Sequence, residues 1–177
     1  MKSLVFLLIL FSASLQAQSY LEVLEVIDGD TLRVSVAGKA VQLQLKGLDA
    51  PEDTDNPKLD FDMNRTGLSK EALLDMGRAA TAHLRTLVQP GQQISTPMDL
   101  EDRDRYGRFT AVVYNSSETS LNEAMVRDGY AHPLRPETLD KPLRQRLEKA
   151  WEKARRNQSG LFGSHRQNFE TWLKGQR

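Results

Sequence analysis

Two alternating runs constrain this chain more than any other feature. Leu32, Val34 and Val36 alternate with Arg33 and Ser35, and Val41, Leu43 and Leu45 alternate with Gln42, Gln44 and Lys46. A period of two sends one set of side chains into a core and the other toward solvent or a ligand. Both runs are therefore expected as strands with one apolar face. Asp28-Gly29 and Ala37-Gly38-Lys39 are turn signals at their ends, and β character extends from Tyr20 to Leu48. Asp49 to Gly67 reads as a polar loop, opened by Pro51 and interrupted by Pro57.

Beyond the loop the period changes. Leu73, Gly77, Ala80, Leu84 and Val88 share one stripe of a helix expected over Ser69–Val88, ended by Pro90-Gly91. Strands are expected near Gln93–Ser95 and Phe109–Tyr114, with a charged turn from Asp99 to Gly107 between them. Ser120-Leu121-Asn122-Glu123 has the form of a capping box, in which the serine oxygen and the Glu123 carboxylate satisfy free amides at a helix start. That short helix ends at Gly129. A third helix over Asp140–Arg156 turns Leu143, Leu147, Ala150, Trp151 and Ala154 inward, with Pro142 in its first turn, where a missing N–H does little harm. The fold class is α+β and mainly β: a five-strand barrel with three packed helices buries these faces without free sheet edges.

The first seventeen residues differ from the rest. Lys2 is followed by an apolar run, Leu4–Phe11, and by small residues up to Ala17. This is signal-peptide anatomy, and the run is shorter than the roughly 20 residues of a membrane span. Residues 1–17 are expected to be a cleaved leader, with an uncleaved N-terminal anchor as the alternative, residues 18–165 one domain and 166–177 a C-terminal tail. The mature chain is expected to be exported to the periplasm or medium, without a stable membrane anchor and as a monomer. With no cysteine in the chain, lipid attachment through a thiol and disulfides are excluded.

The 24 basic and 24 acidic residues cancel, so net charge does not advertise a nucleic-acid partner. Their distribution is uneven. Asp49 to Asp62 carries six acids and one base, Lys58, whereas Arg135 to Arg177 carries eleven bases and five acids. An acidic pole can hold a cation and a basic pole phosphates. The C-terminal bases read equally well as the solvated face of a helix. His83, His132 and His165 show no metal-ligand spacing and read as surface residues. Trp151 reads as core, and Trp172 falls in the tail.

Three segments stand out: Val26-Ile27-Asp28-Gly29-Asp30-Thr31, Gly47-Leu48-Asp49-Ala50-Pro51-Glu52 and Asp104-Arg105-Tyr106-Gly107-Arg108. Taken singly, each is an ordinary turn. In this order, and followed by Leu121-Asn122-Glu123-Ala124-Met125-Val126-Arg127-Asp128-Gly129-Tyr130-Ala131, they resemble the staphylococcal nuclease family over roughly Leu21 to Phe162. The resemblance implies a five-stranded OB-fold barrel with three helices, and Ca²⁺-dependent cleavage of phosphodiester bonds in DNA and RNA. It further implies that Asp30, Asp49 and the Ala50 carbonyl hold the Ca²⁺. Glu52 matches the general base or water-orienting carboxylate, and Arg108 a guanidinium facing the reacting phosphate. Arg105 and Tyr106 match residues that contact the nucleotide's terminal phosphate.

The chain departs from the family pattern in two places. Gln44 stands where the family carries a second catalytic arginine, and glutamine brings hydrogen bonds but no charge. Lys46 shares its strand face by alternation, about 7 Å along. After Ala131 the chain reads His132-Pro133-Leu134-Arg135 in place of base-stacking aromatics. The substitution of Gln44 opens an alternative: a non-catalytic OB-fold nucleic-acid-binding protein that has lost efficient chemistry.

Overall fold

The computed structural model describes residues 19–97, 103–104, 107–134 and 139–176. Its elements run β1 Ser19–Val26, β2 Thr31–Val36, β3 Lys39–Leu45, β4 Leu48–Asp49, α1 Pro57–Thr66, α2 Lys70–Leu87 and β5 Gln93–Thr96. They continue with β6 Phe109–Ala111, β7 Tyr114–Asn115, α3 Leu121–Arg127, β8 His132–Pro133, α4 Lys141–Asn157, α5 Leu161–Ser164 and α6 Arg166–Gly175.

The alternating runs pair as the pattern demands. Leu32 faces Leu43 and Val34 faces Val41 across β2 and β3, and Leu32, Val34, Leu43 and Leu45 are buried. Ala37 and Gly38 turn the chain between them with positive φ at both positions, the backbone that matches the twist of a two-residue hairpin. The main sheet has the order β6-β3-β2-β1-β5-β7. Its two edge strands, β6 and β7, are joined by Val112 and Val113 alone, a link that reaches only roughly 10 Å. The sheet must therefore curl until its edges meet, which gives the expected OB-type barrel.

The strand expected over Phe109–Tyr114 is thus two strands on opposite edges. Asn122 explains the break. Fully buried, it accepts the Val113 N–H at 2.9 Å and donates to the carbonyls of Lys46 and Ala111 at 2.9 and 3.1 Å. One side chain from α3 thus ties together backbone groups of β6, of the residue that follows β3 and of the link between β6 and β7 at the seam. Ser120 caps α3 through the Glu123 N–H, but Glu123 does not complete the expected box: its carboxylate takes the Arg146 Nε–H at 2.7 Å.

The three expected helices are present as α2, α3 and α4, and others join them. Part of the expected polar loop is α1, capped by Asn56 Oδ1 on the N–H groups of Lys58 and Leu59, with Pro57 at its start and Gly67 in the left-handed conformation at its end. Pro57 therefore begins a helix where the sequence reading placed a break in a loop. The segment read as a tail is largely α6. Its Phe169 and Trp172 are fully buried and complete an aromatic cluster with Trp151 and Phe162, with neighbouring ring centroids 4.9–5.7 Å apart. His83 and His132, expected at the surface, are half-buried. His83 stacks on Tyr130 and contacts Asp128, while His132 lies edge-on to Trp151.

Candidate active site

The β1–β2 turn supplies the first carboxylates. The N–H groups of Ile27 and Asp28 close it onto the Thr31 carbonyl, and Asp28 Oδ1 accepts the Asp30 N–H at 2.9 Å. Asp30 is thereby aimed across the barrel mouth. Its Oδ2 accepts the Ala50 N–H at 3.1 Å and its Oδ1 the Thr31 hydroxyl at 2.8 Å. This contact requires close packing. A Cβ on Gly29 would lie 2.8 Å from the Ala80 Cβ and 2.9 Å from that of Ala50, so only glycine fits.

The second segment leaves the barrel at β4, where Asp49 pairs with His132 of β8. It then runs along α2, which approaches so closely that a Cβ on Gly77 would sit 2.1 Å from the Glu52 carbonyl. The Thr81 hydroxyl donates to Asp53 at 2.6 Å and fixes the same approach. Asp30, Asp49, Ala50 and Glu52, named from sequence, are thus brought to one lip of the barrel.

A residue that sequence reasoning did not single out as functional sits among them. The Lys58 ammonium, from the first turn of α1, lies 2.9 Å from Glu52 Oε1, 3.2 Å from Asp49 Oδ1 and 3.5 Å from Asp62 Oδ2. It also donates to the Ala50 carbonyl at 3.3 Å. Asp62 falls within the expected polar loop, yet it is buried and accepts the Trp172 indole N–H at 2.9 Å. Asn56 Nδ2 donates to the other Glu52 oxygen at 2.6 Å. The signal for Lys58 was present in the sequence, since it is the single base in the run from Asp49 to Asp62. Among the described residues, no three acidic or imidazole side chains converge as a ready-made metal cage.

The electrostatics record too many carboxylates for one ammonium. Burial, followed by the charge of Asp30, pushes Asp28 up to about 8. Burial pushes Asp49 up to about 7; Lys58 pulls the other way, while Asp30 and Glu52 push it higher. For Lys58, burial acts to lower the pKa, but the charges of Asp49, Glu52 and Asp62 outweigh it and hold the amine well above its usual range. Asp28 thus joins the site as a second residue the sequence reading left in an ordinary turn; the pair of acids flanking Gly29 was the available signal.

The third segment faces the acids from β6. Arg108 precedes that strand. Its Nε donates to Asp104 Oδ2 at 2.6 Å, and its own N–H donates to Asp104 Oδ1 at 2.9 Å. One terminal nitrogen donates to Gln44 Oε1 at 3.0 Å. Burial acts to lower the Arg108 pKa, and the Asp104 hydrogen bond more than compensates. Gln44 is paired with Thr31 across β2 and β3, and the next amide, Leu45 N–H, donates to the Asp30 carbonyl at 2.8 Å. The arginine half and the acid half therefore share a backbone seam. β3 ends at Leu45, so strand alternation no longer assigns a face to Lys46. Arg105, Tyr106 and Arg135 lie outside the described residues.

The sequence pattern of a family described as staphylococcal nuclease homologue matches residues 42–164. The endonuclease YhcR of Bacillus subtilis (strain 168) is 33% identical over 108 residues, which are 60% of this chain and 8% of that protein. An uncharacterized endonuclease of Escherichia coli O157:H7 is 33% identical over 109 residues, 62% of this chain and 57% of its own length. The thermonuclease of Staphylococcus hyicus is 26% identical over 151 residues, 83% of this chain and 77% of its own. The match thus spans little more than half of the Escherichia coli relative and a small part of the Bacillus one.

Proposed function

The chain belongs to the staphylococcal nuclease homologue family, and on that premise we propose that it is a Ca²⁺-dependent nuclease hydrolysing phosphodiester bonds in DNA and RNA. The observation that carries this reading is the convergence on one lip of Asp30, Asp49, the Ala50 carbonyl and Glu52, with Arg108 held across the seam. These oxygens are the hard donors a calcium ion takes. They also fit by charge: burial, together with neighbouring carboxylates, pushes Asp28 and Asp49 above the usual carboxylate range, and a cation would favour their ionised forms.

Asp30, Asp49 and the Ala50 carbonyl would hold the cation, which when bound polarises a phosphate and steadies an attacking water. Glu52 orients that water and takes its proton. For this it must release Lys58 or Asn56, which together engage both of its oxygens. Arg108 offers a guanidinium, already oriented by Asp104 and Gln44, to the charge that grows on the phosphate oxygens. Arg105 and Tyr106 would contact a terminal phosphate.

Digestion of plasmid DNA and of RNA by residues 18–177, with Ca²⁺ and with chelator, tests the reading. Cleavage that survives chelation would remove the metal from it. Binding without cleavage would favour the non-catalytic alternative, for which Gln44 in place of a second arginine speaks. Export belongs to the same proposal and is supported by the order of Lys2, Leu4–Phe11 and Ser12–Ala17. Intact-mass analysis of the secreted protein checks it, and a retained Met1 would count against it.

A further inference from the structure

The ammonium of Lys58 lies on two of the oxygens that the calcium reading assigns to the metal, and on the proposed base. It touches Asp49 Oδ1, the Ala50 carbonyl and Glu52 Oε1 at 2.9–3.3 Å. Those are hydrogen-bond lengths, whereas calcium draws its oxygens to roughly 2.3–2.6 Å. Two cations on the same oxygens repel each other at short range, so they compete for these atoms. We infer that Lys58 is a tethered competitor for the metal: it closes the site in the metal-free protein, and a divalent cation binds by displacing it.

Three features separate this from a surface lysine that happens to fall on acids. First, the lysine has a seat of its own. Asp62, one helical turn along α1, is buried and is fixed by the Trp172 indole at 2.9 Å and by Gln176 at 3.3 Å. It meets the ammonium at 3.5 Å. Second, the lysine has an exit. Its side chain keeps 37% exposure, against 11% for Asp49, 14% for Glu52 and 2% for Asp62, and its four-carbon stem turns freely. On displacement the amine keeps Asp62, so the buried carboxylate is not left without a counter-charge. Third, the contact gates chemistry. Glu52 is bonded by Lys58 and Asn56 together, so the proposed base is engaged until the cation takes the lysine's place.

The inference rests on the calcium reading, and the test separates the two. Calorimetric titration of Ca²⁺ into the wild type and Lys58→Met compares an intact competitor with an uncharged stem of similar reach. The variant should bind Ca²⁺ at least about tenfold more tightly. Its metal-free melting temperature should fall, because Asp49, Glu52 and Asp62 lose their shared counter-charge, and saturating Ca²⁺ should raise that temperature by more than it raises the wild type's. A wild type that binds Ca²⁺ alongside a variant that binds no tighter overturns this inference and leaves the calcium reading standing. No binding by either protein overturns both. Should Lys58→Met not fold, the wild type decides. Reductive methylation followed by peptide mass spectrometry should find Lys58 protected without Ca²⁺ and modified several-fold faster at saturation. Equal modification in the two states overturns the displacement.

Discussion

The two halves of the site balance their charges differently. On the arginine side the Arg108 guanidinium is held by Asp104 and by the neutral acceptor Gln44, and the charges of Asp30 and Asp28 also act on it. On the acid side Asp49, Glu52 and Asp62 meet the Lys58 ammonium, and the charge of Asp30 acts on both Asp28 and Asp49. A balanced pair is fixed before substrate arrives and costs nothing to reorganise during reaction. An unbalanced cluster stores electrostatic repulsion that only a proton or a further cation relieves. On the proposed function, the arginine half would be a preorganised donor and the acid half a cation receptor.

Breaking the acid half at its base should have the largest effect. Glu52→Gln removes a proton acceptor while keeping the shape and the Lys58 contact. Turnover on a short fluorogenic oligonucleotide at saturating Ca²⁺ should fall by on the order of 10²–10⁴, with Ca²⁺ affinity changed far less. A loss of only a few-fold would remove Glu52 from the base or water-orienting role. Breaking the arginine half comes next. Arg108→Lys keeps the charge but loses the planar fork that binds Asp104 and Gln44 together, and kcat should fall by roughly 10² with little change in substrate affinity. A change confined to KM would show that Arg108 binds the ground state and the transition state alike.

The imbalance also predicts a pH dependence that the arginine half does not share. Asp28 is pushed up to about 8 and Asp49 to about 7, from an ordinary 3.8. Between those limits the folded protein holds protons that the unfolded chain releases, so stability falls with rising pH. This contribution is fully present below the unfolded value and is lost as the pH passes through 7 and 8. In chelator, the melting temperature should be higher at pH 6 than at pH 8.5. Roughly 1–3 kcal/mol is at stake, or about 3–10 °C for a domain of this size. Saturating Ca²⁺ should shrink the difference, because a cation among the carboxylates keeps them ionised at the lower pH as well. A metal-free protein that melts at the same temperature at both pH values would show that the acid half is already neutralised.

The same contrast governs what could be read from sequence. The barrel strands and α2 to α4 were legible because periodic apolar faces and caps announce them. Helix α1 was not: its run from Asp49 carries six acids and two prolines, and only Leu59 among its apolar side chains is buried. Its stability comes from the Asn56 cap and from charges at Lys58 and Asp62, which no hydrophobic period reports. Helix α6 did leave a signal, since Phe169, Trp172 and Leu173 follow helical spacing, but a short stretch at the chain end read as a tail. Asn122 acts through three backbone partners, 9, 11 and 76 residues away, and a single polar residue carries no pattern. The acid positions followed from motif order. The Lys58 seat required Trp172 and Asp62, 110 residues apart, to be seen together.

The smallest expected effect, and the one that most sharpens the contrast, concerns Gln44. Its sequence position suggested a missing cation; its structure adds a second role, because Gln44 Oε1 accepts from Arg108. Gln44→Arg therefore makes two changes of opposite sign. It adds a guanidinium where the proposed function places the reacting phosphate, and a full electrostatic donor of this kind is commonly worth on the order of 10²–10³ in turnover. It also removes the acceptor that orients one Arg108 nitrogen and places a like charge beside it. Asp104 remains and still fixes Arg108 through two hydrogen bonds, so the second change weakens Arg108 without releasing it. The net expectation is a rise in kcat of no more than about tenfold, with Ca²⁺ affinity nearly unchanged. Gln44→Leu isolates the loss, since it removes the acceptor and adds no charge, and its kcat should fall by a few-fold. Steady-state cleavage by the two variants and the wild type measures both terms. If Gln44→Arg falls below Gln44→Leu, repulsion between neighbouring guanidiniums outweighs the added donor, and the arginine half is complete with a single cation.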